Sequence, residues 1–218
     1  MKSCQDWKNH GFHQDGVYFL SVASYGPLPV YCDQTTDGGG WVKFQRRQDG
    51  TVDFYRNWHD YKTGFGTFSG EFWLGNDIIH ILTSSQGLNE LRVDIESFNG
   101  TKAFAKYSNF SILGENYNYT LLVSGYSGTA GDSLGNGIQY ASRVHNGMQF
   151  STFDRDNDKH EFGNSCAVEK HGAWWYNSCY WSHLNGKYKE YSNNGGIDWY
   201  SWPELKYHTL KKTEMKIR

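Results

Sequence analysis

A chain of 218 residues is long for one domain and short for two. Its net charge of −2, with no Lys/Arg stripe, argues against a nucleic-acid footprint, and no run of 18 apolar residues is present to span a membrane. The 9 Trp and 16 Tyr put large apolar areas and polar handles in the same side chains, while 25 Gly against 3 Pro point to glycine turns rather than a proline-rich linker.

In chain order, the start MKSCQDW carries no signal-type apolar segment, so we expect an upstream region outside this sequence, able to build oligomers. Residues 17–32, VYFLSVASYGPLPVYC, read as two short strands around a Gly-Pro turn. DGGGW at 37–41 is a tight glycine turn into the strand WVKFQRR. Residues 53–62 and 76–85 carry helical patterns, with Asn76 and Asp77 as N-cap candidates. LRVDIES (91–97) alternates as a half-buried strand does, and so do 104–113 and 119–128, which suggests consecutive antiparallel strands. From about residue 129 periodicity fades and Gly, Asn, Asp, Ser and paired aromatics dominate, so this segment needs staples beyond an ordinary core. LKKTEMKIR at the end recovers a strand pattern that can return to the main sheet. The basic cluster Lys206 to Lys216 reads as a solvated strand or terminus.

The four cysteines, Cys4, Cys32, Cys166 and Cys179, form no CxxC pair, which disfavours zinc. Their even number, together with N-x-S/T sequons at Asn99, Asn109 and Asn118, favours a secreted, disulfide-bonded glycoprotein. Three pairings are open, of which Cys4–Cys32 with Cys166–Cys179 closes the shortest loops. Closing the second loop would stabilise by roughly 3 kcal/mol on the chain-entropy estimate.

The stretch FDRDNDKHEFGNSC (153–166) concentrates Asp154, Asp156, Asp158 and Glu161. Hard oxygen ligands at such spacing suit calcium. An EF-hand fails, because its glycine and glutamate positions hold Lys159 and Ser165. A different calcium loop and a solvated acidic turn both remain open. Enzyme motifs are incomplete: His160-Glu161 lacks the second histidine of HExxH, Gly125-Tyr126-Ser127-Gly128 misplaces the last glycine of a nucleophile elbow, and His59-Asp60 is an isolated pair. We therefore expect no enzymatic activity.

YCDQTTDGGGWVKFQRRQDGTVDFYRNW, GEFWLGNDIIHILT, ELRVDIESF, FAKYSNF, AGDSL, FSTFDRDND, GAWWYNSC, LNGKY and TEMKIR, in this order from Cys4 to Arg218, resemble the fibrinogen C-terminal domain of ficolins, tachylectins, angiopoietins, tenascins and fibrinogen chains. The resemblance implies a single α+β globe. A small N-terminal subdomain (about 1–45) would hold Cys4–Cys32. A central antiparallel sheet with helices would occupy about 46–140. A loop-rich, calcium-binding subdomain would occupy about 141–218, with its last strand returning to the sheet.

It further implies that Ca2+ is held by Asp156, Asp158 and the backbone carbonyls of His160 and Phe162, with Asp154 outside the ligand set. The disulfide Cys166–Cys179 would bound a ligand pocket, and the Ser178–Cys179 peptide bond would be cis, aiming backbone amides into it. Trp174, Trp175 and Tyr176 would pack beneath. Acetyl-binding members place a histidine, a tyrosine and further aromatics where this chain has Tyr180, Lys170 and the pair Asn193 and Asn194. Lys170 adds positive charge that favours a carboxylate or sulfate, and Trp181, His183, Trp199 and Trp202 are candidates for a wider aromatic surface. The expected function is calcium-dependent recognition of carbohydrate, acetylated or acidic groups on microbial surfaces in innate immunity. The alternative is a protein–protein module for a receptor or matrix partner, with calcium as a brace.

Overall fold

A computed structural model describes residues 1–218 except 23–24, 138–139, 162–164, 192–194 and 206–208. Helix α1 (Cys4–Asn9) starts at a reciprocal capping box, in which Ser3 accepts the Asp6 N–H and the Asp6 carboxylate accepts the Ser3 N–H. A disulfide from Cys4 to Cys32 ties this helix to the adjoining hairpin of β1 (Gly16–Val22) and β2 (Gly26–Asp33). Gly26-Pro27 does not form the expected turn, since both residues already pair within β2, with Val22 and Ser21. Proline is tolerated because the next strand, β3 (Trp41–Arg47), pairs with β2 only over Tyr31–Asp33, leaving Pro27 on a free flank.

The helical pattern at 53–62 is realised only as α2 (Trp58–Thr63), because Asn57 caps it there by accepting the Asp60 N–H at 2.8 Å. Two short strands follow, β4 (Phe65–Gly66) and β5 (Phe72–Trp73), and then α3 (Asn76–Ser84). Gly75, not Asn76 or Asp77, holds the N-cap position of α3. Those two side chains are used elsewhere: Asn76 accepts the Trp73 indole N–H at 3.1 Å, and Asp77 accepts the Tyr119 hydroxyl. The alternating segments become β6 (Leu91–Ser97), β7 (Lys102–Ile112) and β8 (Leu121–Gly128). Between β8 and the last strand, the regular elements among the described residues are short: α4 (Cys166–Lys170), the pair β9 (Ser182–His183) and β10 (Asp198–Trp199), and brief 3-10 turns.

The last strand, β11 (Leu210–Ile217), enters the middle of the sheet, whose order is β1-β2-β3-β11-β6-β7-β8 with every pairing antiparallel. Helix α3 packs on β7, and its Ile78, Ile79 and Leu82 share one core with aliphatic residues of β6 and β8. Phe44 stacks on Phe110 with ring centroids at 5.7 Å. The loop-rich segment buries rings instead. Trp174, Trp175, Tyr176 and Trp199 are fully buried, and Trp175 meets Phe150 at 5.2 Å, continuous with Tyr61 and Trp73. Large rings let a segment poor in aliphatic residues bury enough area to hold a shape.

Lys216 corrects the reading of a solvated basic terminus. It is 1% exposed and lies 2.7 Å from both Asp33 and Asp94 and 3.3 Å from Glu214. Burial alone would raise the Asp33 carboxyl, but Lys216 holds it well below the usual carboxylate range. Lys216→Met is expected to destabilise the domain by about 3–5 kcal/mol, because buried Asp33 keeps only Lys43, at 3.7 Å, to offset its charge. Adding Asp33→Asn should recover part of the loss in urea unfolding. A single-variant loss below about 1 kcal/mol would contradict this account.

Candidate functional site

The acidic loop is woven into the fold by backbone and side-chain bonds. Asp154 accepts the Trp58 N–H at 2.9 Å and the Thr152 hydroxyl at 2.7 Å, linking the loop to the start of α2. Asp158 accepts the N–H of His160 at 2.8 Å and of Cys166 at 2.7 Å. Asp156 accepts the Asp158 N–H at 3.1 Å. Burial raises the Asp158 carboxyl, the two N–H donors oppose this, and the neighbouring Asp156 charge raises it further. Among the described residues no three His, Cys, Asp or Glu side chains converge as a metal cluster, so a cation here would need carbonyl oxygens as well. Two carboxylates that repel each other, with backbone oxygens nearby, form a hard-oxygen donor set that fits calcium. Phe162 lies outside the described residues.

A cavity of about 360 Å³ adjoins this loop. The disulfide Cys166–Cys179 bounds it, and the Ser178–Cys179 peptide is cis. Ser178, Cys179 and Tyr180 line one side, and Lys170 of α4 and His160 of the acidic loop line another. Arg143, Asp198 and Tyr200 complete the wall from two further segments. The Ser178 N–H donates to the Ser142 carbonyl at 2.9 Å, and Asn177 donates to the Ala141 and Val144 carbonyls at 3.1 Å, which brings Arg143 to the rim. Gly195 has φ +94°, and a Cβ there would stand 2.1 Å from the Lys170 carbonyl, so only glycine lets these two strands of chain meet.

Below the cavity, His145 locks three segments. It is fully buried, its Nδ1 donates to the Trp175 carbonyl at 2.7 Å, and its Nε2 accepts the N–H groups of Trp181 and Ser182, both at 3.0 Å. Burial lowers its pKa to about 4. His183, paired with the Tyr176 hydroxyl at 2.7 Å, is lowered to about 3 by burial and then by Arg47 and other cations. Asp198 is 4% exposed, and burial pushes its carboxyl up to about 7 against the weaker opposing effect of the Trp199 N–H.

Of the residues singled out in the sequence, Lys170, Ser178, Cys179 and Tyr180 meet at the cavity, whereas Asn193 and Asn194 lie outside the described residues. His183, Trp199 and Trp202 are core rather than binding surface, and Trp181 alone of that group is partly exposed. Asn99 and Asn109 are exposed. The Asn118 amide is half-buried and donates to Gln149 at 2.9 Å. Sequence reading missed Arg143, Asp198, Tyr200 and the side chain of His160. Nothing local to those residues signals that they share a cavity. The Ser178–His160 contact, Oγ to Nδ1 at 3.1 Å, does not make a triad: Glu169 is 4.0 Å from the other nitrogen and both side chains are partly solvated.

The buried groups make stability depend on pH in opposite senses. Between pH 6.5 and 4 the unfolded chain takes up protons that folded His145 and His183 refuse, so stability falls on acidification by a few kcal/mol. Asp198 acts the other way: its contribution is full below pH 3.8 and is lost as pH rises through about 7. Asp198→Asn is therefore expected to melt above the native protein at about pH 8 and to lose that margin near pH 5. An equal shift in melting at both pH values would contradict the raised carboxyl.

The whole chain, residues 1–218, matches the family model described as fibrinogen beta and gamma chains, C-terminal globular domain. It is 46% identical over 226 residues to fibrinogen C domain-containing protein 1-B of Xenopus laevis, covering 100% of this chain and 47% of that protein. It is 45% identical over 221 residues to human ficolin-3, covering 100% of this chain and 70% of ficolin-3. The chain thus spans about half the length of the first of these relatives. The fibrinogen-like globe domain of human ANGPTL2 superposes with a TM-score of 0.88 at 38% identity, covering 100% of this chain and 98% of that one. Fold, motifs and full-length similarity agree: this chain belongs to the fibrinogen C-terminal globular domain family.

Proposed function

We propose that this chain is a secreted, calcium-braced recognition domain that binds carbohydrate or acidic groups on microbial surfaces through the cavity beside Cys166–Cys179. The observation that carries this reading is the cavity itself, with Arg143 and Lys170 on its lining, Tyr180 as a wall and the exposed Tyr200 ring at its edge. Guanidinium and ammonium groups suit carboxylate, sulfate or phosphate, and aromatic faces suit the apolar side of a sugar ring. Nothing about the pocket calls for catalysis, and we read the domain as a binding module rather than an enzyme. One shallow site binds weakly, so avidity from oligomers built outside this chain is part of the proposal.

Calcium would be held by Asp156, Asp158 and the carbonyls of His160 and Phe162. It would supply the positive charge that these carboxylates lack among the described residues. Asp156→Ala with Asp158→Ala is expected to abolish calcium binding and to lower the melting temperature more in calcium than in chelator, where only the bonds from the His160 and Cys166 N–H groups to Asp158 and from the Asp158 N–H to Asp156 are lost. Unchanged melting of the native protein between calcium and chelator would remove calcium from the account.

A second reading, a protein-binding module, is favoured by the aromatic cluster beside the cavity. Trp181 meets Tyr200 at 4.1 Å and Tyr140 at 5.3 Å, and both tyrosines are about half exposed. Such rings are typical interface anchors. Binding of the multimerised, calcium-loaded domain to immobilised microbial glycans separates the two readings. Glycan binding that Arg143→Ala weakens about tenfold or more supports the first. Silence across the panel supports the second.

A further inference from the structure

We propose that Asp198 makes the cavity selective for ligands carrying a free ammonium group, while Arg143 takes an anionic group on the same molecule. This rests on the reading of the cavity as the ligand site, and it narrows that site to zwitterionic ligands. Asp198 is 4% exposed and is one of the residues that line the cavity. Within the fold the backbone N–H of Trp199, the next residue in the chain, favours its charged form, more weakly than burial opposes it. Its cross-strand neighbour on β9 is His183, which burial keeps neutral and which bonds to Tyr176 instead. The described residues place no Lys, Arg or His in an ion pair with it.

The other titratable groups on the cavity are Arg143, Lys170, Glu169, His160 and the tyrosines Tyr180 and Tyr200. Tyr180 stands close enough that burial and then the Asp198 charge raise its hydroxyl. Among the described residues no cation compensates the charge of a carboxyl in this position, and burial raises it. Were packing the only requirement between Ile197 and Trp199, an apolar side chain would serve, because a buried unpaired carboxylate is costly. An ammonium entering the cavity supplies the missing charge where solvent screening is weak. The Tyr180 and Tyr200 rings add faces that attract a cation.

Arg143, which is exposed, lines the same cavity. Its guanidinium approaches the Trp181 ring at 5.8 Å, and the described residues provide it with no acidic partner. The planar fork fits phosphate, sulfate or carboxylate. The cavity therefore carries a buried negative group and an exposed positive one. Acetylating a ligand's amine removes the charge that Asp198 recognises.

The test is calorimetric titration of the calcium-loaded domain at about pH 7.5 with phosphoethanolamine and with its N-acetyl derivative, using Asp198→Asn, Asp198→Glu and Arg143→Ala checked for native melting. The native domain is expected to bind the free amine about tenfold or more tightly than the acetylated form. Asp198→Asn should erase this preference, Asp198→Glu should keep part of it, and Arg143→Ala should weaken both ligands alike. Equal or tighter binding of the acetylated form, a preference that survives in Asp198→Asn, or no binding of either compound overturns the inference. The glycan panel run in parallel separates this from the broader reading. Glycan binding without an amine preference overturns only the selectivity. An amine preference without glycan binding overturns only the saccharide reading.

Discussion

The guanidinium of Arg47, 1% exposed, joins the sheet to the loop-rich third of the molecule. It faces Glu71 at 3.4 Å, lies over the Phe54 ring at 3.9 Å and donates to the carbonyls of Leu184 and Gly186 at 3.3 and 2.6 Å. Glu71, itself fully buried, collects the N–H groups of Gln48, Asp49 and Val52. Gln45 on the same strand adds bonds to Leu184 and Asn185, and Asn185 reaches on to the Ala173 carbonyl. A buried ion pair contributes little net stability, but losing one partner strands the other charge, so the pair works as a constraint on geometry. Every wall of the cavity that derives from residues 173–186 hangs from this anchor.

The cavity is built from loops, yet its parts are fixed. His145 holds Trp175, Trp181 and Ser182 through three bonds, and its neutral state is required for Nε2 to accept. The disulfide joins α4 to the Tyr180 segment, and Gly195 packs against the Lys170 carbonyl. Such cross-bracing substitutes for the regular hydrogen-bond ladders that the sheet enjoys.

Charge is distributed with the same economy. On the sheet, Lys216, Lys43, Asp33, Asp94 and Glu214 neutralise one another across four strands. Around the cavity, Asp156, Asp158, Asp198 and Arg143 are not neutralised in this way within the described residues. Uncompensated charge at a groove, beside a sheet whose buried charges are paired, is where an ion or a ligand adds free energy that the fold itself does not supply.

Much of this was legible in the order of residues. Alternation located β6, β7 and β8 to within two residues, and the run of motifs revealed the family, whereas the Asn57 cap of α2 was not among the expected helix starts. The acidic spacing singled out the stretch 154–161, and the choice of Asp156 and Asp158 within it came from the family resemblance. Other features were decided only in three dimensions. The sequence of β11 reads as a strand, but its seat between β3 and β6, and with it the burial of Lys216, depends on partners far away in the chain. Arg143 and Asp198 look like ordinary surface residues until the Ser142–Ser178 bond and the β9–β10 pairing bring them to one cavity. Periodicity reports what a residue's near neighbours require. Whether a charge is buried, paired or left to face a ligand is set by which distant segments close around it.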